Sequence, residues 1–112
     1  MIYNGHTALN GYGLLVQGIT GEVSVLLGNV TNTPTGYTLT LNQWTQLTLV
    51  IENGINRVFA DGNLVYTFTS TPLPPAGTGS FVIAANNQGG QSFPGSIDEV
   101  RLWSKPLNQC EI

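Results

Sequence analysis

Trp44-Thr-Gln-Leu-Thr-Leu-Val-Ile-Glu52, Asn53-Gly54, Ile55-Asn-Arg-Val-Phe-Ala60, Asp61-Gly62 and Asn63-Leu-Val-Tyr-Thr-Phe-Thr69 follow one another without a break. Leu47, Leu49 and Ile51 alternate with Gln46 and Thr48, the two-residue period of a half-buried antiparallel strand. Asn-Gly and Asp-Gly tolerate the positive φ of two-residue hairpin turns. The stretch therefore reads as a three-strand meander, with strands at 44–52, 55–60 and 63–69.

Working outward, 12–17 and 22–30 read as strands around a turn at 18–21. Thr31-Asn-Thr-Pro-Thr-Gly36 reads as a loop, because Pro and Gly punctuate it. Residues 70–79 carry three prolines and read as a loop, since each proline removes an amide donor. Strands at 80–85 and 96–103 follow, separated by the polar Asn/Gln/Gly stretch 86–92. Ile97 and Val100 stand three apart, so a β-bulge at Asp98-Glu99 is needed to turn both inward. Leu107 onward reads as a helix start, with Asn108 as N-cap and Glu111 as its capping-box partner. The expected architecture is all-β, two antiparallel sheets face to face. Its expected core includes Leu47, Leu49, Ile51, Val58, Ile83, Ile97, Val100 and Leu102, so Leu49→Asp is expected to unfold the domain.

Composition narrows the function. The 112 residues suffice for one domain and a useful core. Only 8% are charged, the net charge is −3, and the basic residues are Arg57, Arg101 and Lys105. These cannot build the basic surface that nucleic acid or an anionic membrane needs. No apolar run spans a bilayer, so no membrane insertion is expected. Cys110 is the only cysteine. It is either a free thiol or a half-cystine whose partner lies elsewhere. The abrupt apolar start at Met1-Ile-Tyr3 and the stop at Glu111-Ile112 suggest a chain cut at both ends.

Phe93-Pro-Gly-Ser-Ile-Asp-Glu-Val-Arg-Leu-Trp103, continued by Leu107 and Glu111-Ile112, resembles the C-terminal signature of laminin-G-like and pentraxin-like concanavalin-A jelly rolls. Gln43-Trp44-Thr-Gln-Leu-Thr-Leu-Val50 and Arg57-Val-Phe-Ala-Asp61-Gly62-Asn-Leu-Val65 match two further family segments in the right order. The resemblance implies a jelly-roll sandwich over 1–112, lacking the family's N-terminal strands and the C-terminal continuation. A polar, lysine-poor β domain rich in Thr, Asn and Gly suits a secreted or cell-surface setting, and the abrupt start and stop suggest a larger chain. Relatives include adhesion modules, lectins, accessory domains of carbohydrate-active enzymes, and enzymes, so the fold leaves activity open. Some bind calcium; here calcium is possible, but no ligand set can be named.

Tested for chemistry, the sequence offers no catalytic residue. A retaining glycosidase needs two carboxylates about 5–5.5 Å apart on one face. Among Glu22, Glu52, Asp61, Asp98, Glu99 and Glu111 no such spacing occurs. Asp98 and Glu99 are adjacent, and Asp98 at a bulge with Glu99 near Arg101 is a structural alternative. His6 is the sole histidine; with no cysteine or second histidine near it a metal site is unsupported, and so is a nucleophilic triad, for which it would have to be the base. Asn29-Val30-Thr31 forms a sequon. Glycan binding commonly combines aromatic rings with planar amides, and Tyr3, Asn4, His6, Tyr12, Asn86, Asn87 and Gln91 are the candidate binding residues. The expected function is a non-catalytic recognition module for a glycan or a protein ligand at a cell surface or in a matrix. Alternatives are a spacer domain of an adhesin and a fragment of a glycoside hydrolase or its accessory domain.

Overall fold

The computed structural model describes residues 1–71, 76–85 and 92–112. Among them lie eight strands: β1 (Ile2–Asn4), β2 (Tyr12–Val16), β3 (Glu22–Leu27), β4 (Thr31–Thr38), β5 (Leu47–Glu52), β6 (Ile55–Ala60), β7 (Asn63–Thr69) and β8 (Phe81–Ile83). They form an all-β sandwich of jelly-roll type. One sheet has the order β4-β3-β2-β1-β8, the other β5-β6-β7. Every neighbouring pair is antiparallel.

The meander forms as its turns require. Asn53, Gly54, Asp61 and Gly62 all have positive φ, between 49° and 80°. That is the backbone of type I′ turns, whose twist matches the flanking strands. The register places Leu49 opposite Val58 and Val58 opposite Tyr66, with a bulge at Val58/Phe59. In the other sheet Tyr12 pairs with Leu27, Leu14 with Val25 and Val16 with Val23.

These registers align the apolar faces. Val25, Leu27 and Val58 are fully buried at the centre of the sandwich. Tyr12, Leu14, Leu49, Ile51, Tyr66 and Phe68 pack around them. Polar side chains are also buried, Asn56 and Ser70 among them. Asn56 Nδ2 donates to Ser70 Oγ (3.0 Å), Gly54 O (3.2 Å) and Phe68 O (3.4 Å). Its Oδ1 has no protein partner.

The structure departs from expectation in several places. The expected loop 31–36 is the first part of β4, with Pro34 inside it. Proline is tolerated because β4 is the last strand of its sheet, so an absent amide need break no ladder. Thr35 locks this irregular edge: its Oγ1 donates to Val23 O (2.6 Å) and accepts from Tyr37 N (3.1 Å). The strand expected at 22–30 ends at Leu27, and 28–30 form the turn, with Asn29 at φ 61°. Met1 to Asn4, not read as a strand, supplies β1 between β2 and β8. Finally, 96–103 is no strand.

That last departure changes the expected core. Val58 is buried and Leu47, Leu49, Ile51 and Ile97 are half-buried, but Ile83, Val100 and Leu102 are exposed. Ile83 lies on the terminal strand β8, which pairs only with β1. Around Val100 the chain makes local bonds instead of a ladder. Asp98 Oδ1 accepts from Glu99 N (2.8 Å), and Arg101 Nη2 donates to Glu99 Oε2 (2.6 Å). Such short-range bonds compete with sheet pairing. The C-terminal turn forms the expected reciprocal cap: Glu111 N donates to Asn108 Oδ1 (3.1 Å), and Asn108 N donates to Glu111 Oε2 (2.9 Å). It remains a turn rather than a helix.

Candidate functional site

The candidate residues of the N-terminal part do not present one surface. Tyr3 and Asn4 are neighbours on β1, so their side chains leave opposite faces of the sheet. Asn4 is the register partner of Tyr12 and shares its face, while Tyr3 lies opposite Gly13. Tyr12 is half-buried, packs against the intersheet core and lines the cleft between the sheets. Tyr3, by contrast, is only 1% exposed and its ring is closed to stacking. It covers Gly13, where a Cβ would come within 2.7 Å of the ring. Its hydroxyl donates to Asn10 O (2.9 Å). Asn86, Asn87 and Gln91 lie outside the described residues.

Burial pushes the pKa of the Tyr3 phenol above its ordinary value of 10.0, and the nearby Gly28 backbone opposes this in part. The folded state therefore prefers the neutral phenol. Its contribution is complete below the ordinary value and is lost as pH climbs through the raised one. Thermal melts at pH 9 and 11 are expected to show a fall that Tyr3→Phe reduces. Tyr3→Phe is itself expected to cost about 1 kcal/mol at neutral pH, from the lost hydrogen bond. An equal alkaline fall in both proteins would refute this role for Tyr3.

Asn10, not singled out in the sequence, organises the loop above Tyr3. Its Oδ1 accepts from His6 N (3.0 Å) and Thr78 N (3.1 Å), and its Nδ2 donates to Thr78 Oγ1 (2.7 Å). Leu9 N and Asn10 N both donate to His6 O at 2.9 Å, closing the turn. His6 is half-buried, and its Nδ1 accepts from Ala8 N (3.3 Å). The structure thus gathers His6, Asn10 and Thr78 into one polar knot, with Asn4 against Gly77 beside it. These bonds close within the protein, and they hold the loop in shape.

A different feature offers an open surface. Between the sheets lies a cleft of 1110 Å³. Leu14 and Val16 of β2, Leu47, Leu49 and Ile51 of β5, Phe81, Phe93 and the segment 96–107 line it. Trp44 and Trp103 also line it, and they are 72% and 55% exposed. Gln43, Gln46, Asp98 and Arg101 add polar groups. Aromatic rings with a few polar groups are the usual make-up of a ligand cleft. In the sequence Trp44 reads as the first residue of a strand. In the structure β5 begins only at Leu47, so strand alternation does not bury the indole.

The carboxylates are used locally. Glu22 accepts from Gly36 N, Glu52 pairs with Arg57, and Asp61 accepts from Gln46 N. Asp98, Glu99 and Glu111 are held as described above. Among the described residues no group of three His, Cys, Asp or Glu side chains converges. Cys110 is exposed and unbridged.

A family model described as the concanavalin A-like lectin/glucanases superfamily, Laminin_G_3, matches residues 2–112. The chain belongs to this superfamily. Searches of curated proteins and of solved structures returned no match. Membership in the concanavalin A-like superfamily points to carbohydrate or other ligand binding. Laminin-G/concanavalin A-like domains are typically extracellular, in accord with the expected setting. Among the described residues no helix is long and apolar enough to cross a membrane.

Proposed function

We propose that the chain is a non-catalytic recognition module that binds glycans in an extracellular or cell-surface protein. The observation that carries this reading is the pair of exposed indoles, Trp44 and Trp103, on one cleft of a concanavalin A-like sandwich. A large exposed ring is costly to leave in water and well suited to the C–H face of a sugar. Gln43, Gln46, Asp98 and Arg101 are placed to meet hydroxyls beside it. The engagement of each carboxylate in a backbone bond or ion pair favours binding over hydrolysis.

A glycan array with the intact domain, run with and without calcium, tests the reading. Binding is expected, and Trp44→Ala should weaken it about tenfold or more, the loss typical of an aromatic anchor. Trp44 is exposed, so its removal leaves the fold intact, which a thermal melt checks. Silence on the array would favour a spacer domain. Polysaccharide hydrolysis abolished at Asp98 or Glu99 would make the chain an enzyme.

A further inference from the structure

We propose that the glycan taken by the cleft is an uncharged one, and that uronate and sulfated sugars are refused. This names the ligand class of the site proposed above and rests on that reading. Every charged side chain of the protein lies among the described residues, because the stretches outside them, 72–75 and 86–91, contain none. The charge of the cleft is therefore fully known. Asp98, Glu99 and Glu111 line it against Arg101 and Lys105, three carboxylates to two cations, a balance of −1. Both cations are already taken. Arg101 Nη2 lies 2.6 Å from Glu99 Oε2, and Lys105 Nζ lies 3.7 Å from Glu111 Oε1. The remaining cation, Arg57, is outside the lining and pairs with Glu52 at 3.2 Å.

An anionic sugar asks for the opposite arrangement. Carboxylate and sulfate groups are held by guanidinium forks or ammonium groups that have no competing anion. Arg101 could receive one only by leaving Glu99 or by sharing itself with it. The incoming anion would then stand beside Glu99 and near Asp98, which belongs to none of the ion pairs. Like charges brought together in this way oppose binding. The pairs are exposed and individually weak. The balance of −1 nevertheless holds whether they stay closed or open. A sugar hydroxyl meets no such obstacle, since it both donates and accepts. It can donate to the Asp98 carboxylate, and the Gln43 side-chain amide can serve it in either sense. The rings of Trp44 and Trp103 require only an apolar C–H face.

Calorimetric titration of the intact domain tests this with matched oligosaccharides that differ only at C6, a neutral hexose oligomer against its uronate form. For each neutral oligomer bound, the uronate should bind at least roughly tenfold more weakly at low salt. Affinity for the neutral form should change by less than about twofold between about 50 and 500 mM NaCl, because no charge pairing is screened. Glu99→Gln unpairs Arg101 and brings the cleft to neutrality, so it should narrow the gap between neutral and uronate forms at least roughly threefold. Glu99 is exposed, and a thermal melt checks that this variant keeps the fold. Equal or tighter binding of a uronate or sulfated oligomer would overturn the proposal and leave the glycan reading standing. So would neutral binding that collapses with salt, or a gap that Glu99→Gln leaves unchanged. Absence of binding to every neutral and acidic oligomer would instead sink the glycan reading, and this proposal with it.

Discussion

Val58→Asp is expected to leave the protein unfolded at 25 °C, with no cooperative melt by far-ultraviolet circular dichroism. Val58 is fully buried at the point where the sheets meet, clustered with Val25 and Leu27. Losing its burial costs about 1.5–3 kcal/mol. A carboxylate there must stay ionised without a partner or take up a proton and bury an unpaired acid, each at several kcal/mol more. Domains of this size hold roughly 5–15 kcal/mol in all. Leu49 is half-buried opposite Val58, so Leu49→Asp should act in the same direction and less strongly. A soluble Val58→Asp protein that melts cooperatively near the wild-type temperature would show that the sheets do not meet there.

The meander was legible because its evidence is local. Asn53-Gly54 and Asp61-Gly62 carry their turn types in their own chemistry, and the alternation of Leu47, Leu49 and Ile51 marks the inner face. The N-cap at Asn108 is legible for the same reason. Elements that depend on distant partners were not. A proline at 34 argues against a strand unless the strand is known to be an edge, and edge position is a property of the whole sheet. Ile97, Val100 and Leu102 have the pattern of a core strand, and Glu99 has the backbone that the expected bulge implies. Pattern does not supply the partner, and the ladder is absent.

The site residues show the same division. Of the two candidate tyrosines, Tyr3 is sealed under the β1–β2 loop, whereas Tyr12 is half-buried between the core and the cleft. Alternation along β1 could have separated Tyr3 from Asn4 had Ile2–Asn4 been read as a strand. No local signal marks Asn10, whose partners Tyr3, His6 and Thr78 are seven, four and sixty-eight positions away. The exposure of Trp44 follows from where β5 begins. Asn42, at φ 61°, turns the chain just before it, and asparagine tolerates that conformation.

The β1–β2 loop makes its own quantitative demand, at Gly11. Its φ is +85°, and a Cβ there would lie 1.8 Å from Asn4 O and 2.8 Å from Asn4 C. Both obstacles are backbone of β1, which pairs on both sides and cannot swing aside as a flexible side chain could. Gly11 O also accepts from Gly28 N (2.9 Å), tying the loop to the turn after β3. Gly11→Ala must therefore displace a central strand or open this junction. Its cost is expected to exceed about 3 kcal/mol, the upper end of over-packing changes. Gly62→Ala is the control. Gly62 has φ +76° and nothing within 4 Å of an added Cβ, so only the left-handed backbone is penalised, at roughly 1–2 kcal/mol. Urea unfolding of the two variants beside the wild type measures the difference. Equal shifts in midpoint would mean that Asn4 O does not press on Gly11, and that the loop holding His6, Asn10 and Thr78 is looser than its hydrogen bonds imply.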